Sequence, residues 1–254
     1  MQNKVGHAVA LHLALTFAVN STVFPIRQVP VLLRGESAAV APWTEAASPA
    51  RVATWLAVTV LGSAAFGAAM GWWRAPEQAF YTAVKLPLVL LFTALGNALL
   101  NAMLAPLLGV NIGLRQSLLA VLMSFTIAGA ILGGVAPLLA FVIWNAPPLE
   151  RAASAGATHA FILLTIVAAI AFAGVAANVR LLQLLAHLGG GAGAARRVLF
   201  AWLVANLFFG SQLSWVLRPF IGSPGLPVQF LRDDPFKGSF YEAVFHSFTR
   251  LFLD

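Results

Sequence analysis

The sequence predicts an all-α membrane protein: a polytopic transmembrane helix bundle of about five spans, with flanking interfacial amphipathic helices. Three observations carry that prediction. Only 9% of the 254 residues are charged, against about 25% in soluble domains, which is too few to clothe a water-facing surface. The mean hydropathy is +0.88. The charges that remain are spaced so that long charge-free intervals lie between them.

Those intervals act as a ruler. A crossing helix needs about 20 apolar residues, and a charge at its centre is costly. No Asp, Glu, Lys or Arg lies between Arg51 and Arg74, Lys85 and Arg115, Arg115 and Glu150, Arg151 and Arg180, or Arg197 and Arg218. Spans are therefore expected near 52–73, 83–108, 117–144, 158–180 and 198–220. Long blocks of Ala, Leu, Val and Phe argue for helix, and the alternating strands of a membrane β-barrel are missing. Trp55, Trp72, Trp73, Trp144, Trp202 and Trp215 fall near the proposed ends, where amphipathic aromatics meet headgroups.

Two further apolar segments flank the bundle. In Val5–Ile26, His12, Thr16 and Asn20 recur every four residues and make one polar stripe on a helix. An interfacial helix is the leading reading; a sixth span or a signal peptide, with Lys4 before a short apolar run, stays open. In Ser239–Leu253, Ser239 and Glu242 have capping-box spacing. Phe240, Tyr241, Val244, Phe245, Phe248, Leu251 and Phe252 share a face opposite Glu242, His246 and Arg250. That amphipathic helix is too short to cross and is expected at the interface. Residues 28–50, with Pro30, Gly35, Pro42 and Pro49, read as a linker, as does Gly189–Gly193. The organisation is thus an N-terminal interfacial segment and linker (1–50), a five-helix membrane domain (51–221), and a turn-rich connector with a C-terminal amphipathic helix (222–254). With five spans, basic residues divide almost evenly between the two faces, so the positive-inside rule leaves the orientation open.

The net charge of +7 comes from single Lys and Arg residues at the edges of apolar runs, the pattern of headgroup anchors rather than of a nucleic-acid surface. Cysteine is absent, which removes disulfides and thiolate chemistry. Hydrolase, nucleotide-binding and metalloprotease motifs are missing, and no carboxylate falls within a proposed span. These absences point away from an enzyme and from any cofactor or metal site.

A few residues break the apolar pattern. Ser63, Gly67 and Gly71 in the first span, and Gly129 and Gly133 in the third, are small residues four apart that let helix backbones approach closely. Packing within the chain is the preferred reading, with homo-oligomerisation as the functional one. Thr93, Asn97 and Asn101 form one stripe on the second span. Amides in hydrocarbon must be paired, so the stripe is either an interhelical bond or a polar path. Lys85-Leu86-Pro87 is read as opening that helix, with Lys85 snorkelling to headgroups. Pro137 is expected to kink the third span. In the fifth span Asn206, Gly210, Ser211, Gln212, Ser214 and Arg218 cluster. Arg218 is read first as an interfacial anchor and second as a contact for an anion or lipid phosphate. His159, His187, Asn178 and Arg180 are assigned interfacial or structural places.

Phe209-Gly-Ser-Gln-Leu-Ser-Trp-Val-Leu-Arg-Pro-Phe-Ile-Gly-Ser-Pro224, with Phe230-Leu-Arg232 and Gly238-Ser-Phe-Tyr-Glu242, resembles a set of uncharacterised bacterial multi-pass proteins. Lys85-Leu86-Pro87 after Gly67 and Gly71 also resembles that set, which is similar in layout to the Yip1-like five-helix membrane families. The resemblance spans about residues 55–245 and implies a bacterial inner-membrane location, with no catalytic or ligand-binding residues to carry over. The expected function is a non-enzymatic scaffold or accessory component. Its partners would be the lipid bilayer, anionic headgroups, and a membrane-protein partner or second copy. The alternative is a small transporter or channel component using Lys85, Asn97, Asn101, Gln212 and Arg218.

Overall fold

A computed structural model describes residues 26–147, 152–188, 191–222 and 226–242. After a short 3-10 turn it runs α1 (Val29–Arg34), α2 (Ser37–Glu45), α3 (Pro49–Trp72), α4 (Pro76–Leu107), α5 (Leu114–Trp144), α6 (Ala152–Leu188) and α7 (Gly191–Val216). No strand forms among the described residues. Five of these helices, α3 to α7, are long and apolar enough to cross a membrane. The chain is an integral membrane protein with a multi-pass helical bundle.

Local chemistry sets the boundaries. Ser48 caps α3 by accepting the Arg51 N–H, and Pro49 occupies the first turn, where its missing N–H costs nothing. Pro76 does the same for α4 after an extended Ala75. The N–H of Gly113, at the start of α5, donates to Gln116 Oε1. At the other end Pro219 biases Arg218 away from the helical region, and α7 stops at Val216, four residues before the expected end. α4 begins well before the expected span because the polar turns from Pro76 to Thr82 are helical too, and α6 outruns its expected span at both ends.

Spans consecutive in sequence run antiparallel, and α3 lies at the centre, packed on α4 and, in parallel, on α5. α6 leans on α5, and α7 on α4. The small residues make this possible. A Cβ at Gly129 would stand 2.8 Å from Thr59 Cα, and one at Gly133 2.8 Å from Gly62 Cα. On the other flank, a Cβ at Gly67 would meet Thr82 O and one at Gly71 would meet Gln78 O, each at 2.5 Å. Ser63 is fully buried and donates to Thr59 O at 2.6 Å. All five small residues singled out in the sequence sit in intramolecular contacts.

Several expectations are corrected. Residues 28–50 are not an extended linker. They form α1 and α2, whose Leu32, Val40, Ala41 and Thr44 are buried against α5 and α6. Gly35 ends α1 with φ 73°, the left-handed cap that lets its N–H reach Leu32 O and Val31 O. Trp55 and Trp202 are core residues, 1% and 0% exposed, rather than belt residues; Trp72 and Trp144 are exposed at helix ends. Pro87 does not open its helix, because α4 begins at Pro76. α5 is continuous through Pro137. Residues 5–25 lie outside the described part. So do residues 243–254, on which most of the expected C-terminal amphipathic helix falls; within the described residues Glu242 N–H donates to Ser239 Oγ.

Two outcomes follow. Gly71→Leu places a side chain where the α4 backbone stands and destabilises the detergent-solubilised protein by about 1–3 kcal/mol; an unchanged unfolding midpoint would refute this contact. Ala46→Cys and Phe236→Cys, separated by five crossings, label with an impermeant reagent from opposite sides of the membrane.

Candidate functional site

Two groups of buried polar residues lie on α4. The first is a ladder at mid-helix. Asn101 Nδ2 donates to Asn97 Oδ1 at 2.6 Å, and Asn97 Nδ2 donates to Asn206 Oδ1 of α7 at 2.6 Å. Asn97 and Asn101 are 1% and 0% exposed. α4 and α7 run antiparallel here, so steps of one turn up α4 match steps of one turn down α7. Gly210 lies beside Thr93, with a Cβ there 3.8 Å from Thr93 Oγ1. Asn206 meets Asn97, and the same register puts Trp202 opposite Asn101. Asn101 Oδ1 and Trp202 Nε1, an acceptor and a donor, are both buried without a partner. Thr93 Oγ1 is also unpartnered. The expectation that Asn97 and Asn101 face protein matches this geometry.

The second group is nearer the start of α4. Gln78, Thr82 and Lys85 follow one another along one face, and all three are 0% exposed. They grip the chain where it leaves α7. Gln78 Nε2 donates to Pro219 O at 3.0 Å and Phe220 O at 2.7 Å. Thr82 Oγ1 donates to Phe220 O at 2.7 Å, and Lys85 Nζ to Pro219 O at 2.8 Å. The Lys85 nitrogen also lies 4.8 Å from the Phe230 ring centre and 5.9 Å from those of Tyr81 and Phe220, a cation–π surround. Lys85 therefore does not snorkel to headgroups; a backbone carbonyl and three aromatic faces hold it inside. Gln78 and Thr82 were missed in the sequence because the charge-free interval was measured from Lys85. Their spacing with Lys85, four and then three residues, is the signal that finds them.

The connector is held from outside as well. Arg218 Nη1 donates to Trp215 O at 2.7 Å and Pro235 O at 3.4 Å, its Nη2 to Asp234 O at 3.4 Å, and its guanidinium lies 3.9 Å over the Trp215 ring. Arg74 Nη2 donates to Leu226 O at 3.0 Å, and Trp215 Nε1 to Lys237 O at 3.2 Å. Tyr241 stacks on Phe208 and shares a 3.0 Å hydrogen bond with Ser211. The chain after α7 has thus turned back along it by two turns. Arg218 is not a plain anchor. Gln212 is half-buried, with no side-chain hydrogen bond among the described residues, and joins neither cluster.

Beside the connector, near the start of α6, is a cavity of about 430 Å³, wide open to the surface, lined by His159, Leu163, Arg218, Ile221, Leu226 and Arg232. The His159 ring lies 5.8 Å from that of Trp73. The chemistry assembled in these places is that of amide, hydroxyl and cationic donors facing carbonyls: it holds chain together and offers positive charge at one end.

Removing one amide of the ladder leaves the others unpaired. A double-mutant cycle on Asn97→Ala and Asn206→Ala should give a coupling of about 0.6–1.7 kcal/mol; zero coupling would mean that the ladder does not tie α4 to α7. Replacing Gln78 by Leu together with Lys85 by Met frees the connector. Trypsin then cuts after Arg232 and Lys237 faster than in the unaltered protein, while α3 to α6 stay protected. Compared with protein-family models, with curated proteins and with solved structures, the chain matches none.

Proposed function

We propose that the protein is a non-enzymatic scaffold or accessory component of a bacterial inner membrane, with the layout of the Yip1-like five-helix families. The observation that carries this reading is the burial of the polar stripe. Of the residues assigned to a transport path, Asn97 and Asn101 are bonded to each other, Asn97 is bonded to Asn206 of α7, and both are buried. A path for solute needs polar groups that face an opening; a tie between helices needs them paired. The buried carbonyl grip of Gln78, Thr82 and Lys85 supports the same reading, since it fixes a surface segment instead of leaving donors free for turnover.

Such a component works by contact. Purification of the tagged chain in mild detergent should recover a membrane-protein partner in fixed proportion, and vesicles containing the pure chain should remain tight to small ions and solutes. Saturable solute uptake into those vesicles, lost in Asn97→Ala, would replace this reading with the transporter alternative.

A further inference from the structure

We propose that the cavity between the start of α6 and the connector is a binding site for the phosphate headgroup of an anionic phospholipid, held by the free donors of Arg232 beside the charge of Arg218. Both arginines line the cavity. Arg232 uses Nη1 on Gln229 Oε1 at 3.1 Å, and its other nitrogens make no bond among the described residues. Those nitrogens form the planar fork that suits a phosphate. Arg74 and Lys85 lie behind, bonded to the carbonyls of Leu226 and Pro219, and add positive charge at the same end of the bundle.

Glu77, Asp233 and Asp234 stand at the same end, but among the described residues none forms an ion pair with Arg218 or Arg232. Among the described residues the one ion pair is Arg34–Glu36, at the opposite end. Glu77 accepts the Tyr81 hydroxyl and Asp233 accepts from Gln229. A cavity lined by two guanidiniums attracts an anion.

The rest of the lining says which kind. Leu163, Phe220, Ile221 and Leu226 make an apolar wall, which a free phosphate would not use. Leu163 itself is 43% exposed, and its neighbours Phe161 and Leu164 are 59% and 67% exposed on the outer surface of α6. An acyl chain can leave the cavity along this face while its phosphate stays with the arginines. The site lies at a helix end, where headgroups are found. It is independent of the scaffold reading and would fit a transporter equally.

The test is native mass spectrometry of the full chain in an uncharged detergent, with dioleoyl phosphatidylglycerol, dioleoyl phosphatidylcholine or inorganic phosphate added at equal concentration. We expect one phosphatidylglycerol retained per chain, little phosphatidylcholine, and no displacement by inorganic phosphate. Arg232→Gln should lower retention about tenfold, the usual scale for one charge-assisted contact. Arg34→Gln, at the far end, should leave it unchanged. Arg232→Lys keeps the charge but loses the fork. It should give a partial loss, and it reads the site even where Arg232→Gln folds poorly. Retention unaltered in Arg232→Lys and Arg232→Gln, or equal retention of both lipids, overturns the proposal. Displacement of the lipid by inorganic phosphate would assign a soluble phosphate instead and overturn it equally.

Discussion

The hydrocarbon core offers no water, so each polar group placed there must find its partner inside the protein. The chain has few acids for its bases: 15 Lys and Arg face 8 Asp and Glu. Its cations therefore turn to backbone carbonyls. Arg180 donates to Leu33 O in the last turn of α1, Arg197 to Leu108 O just past α4, and Arg218 to Trp215 O in the last turn of α7. The carbonyls at a helix C-terminus lack intrahelical donors and carry the negative end of the dipole. One bond thus gives the cation an acceptor that already carries negative partial charge. Lys85 on Pro219 O extends the same solution to irregular chain.

Close backbone approach is the second consequence. Lipid tails are as apolar as leucine, so helices in a bilayer gain little from hiding apolar surface and associate through packing and hydrogen bonds. α3 shows both. Glycines at 62, 67 and 71 bring its backbone against α5 and α4, and Thr59 reaches Thr126 of α5 at 3.4 Å. α6 and α7 expose rows of large apolar side chains, among them Phe172, Val175, Phe200 and Leu207. These belong to the lipid side of the bundle. The rigid centre of α3, α4 and α5 is what holds Gln78, Thr82 and Lys85 in line for the connector.

The spans were legible because a charge inside hydrocarbon is costly, so the intervals between Arg and Lys measured the membrane. Spacing also exposed the glycine contacts and the Asn97–Asn101 stripe, since four-residue steps share a helix face. The same ruler failed at Lys85. It treats each cation as a boundary, whereas the partner that lets Lys85 stay inside is a carbonyl 134 residues away. No local pattern announces such a contact. Residues 28–50 were misread for a related reason. Their prolines and glycine look like a linker, but Pro30 sits in the first turn of α1, Gly35 closes it and Pro49 opens α3, while Pro42 lies inside α2. The connector was read as turn-rich and watery; its carbonyls turn out to be the acceptors on which Arg74, Lys85 and Arg218 depend.

The central claim is that Asn97 and Asn101 are buried between helices, out of reach of water. Because the chain contains no cysteine, Asn101→Cys in the membrane-embedded protein tests it with small, membrane-impermeant thiol reagents applied from each side in turn. The account predicts no reaction from either side in the folded protein and full reaction after unfolding in denaturant. Rapid labelling of the folded protein from one face would show that water reaches the ladder, and would contradict the claim.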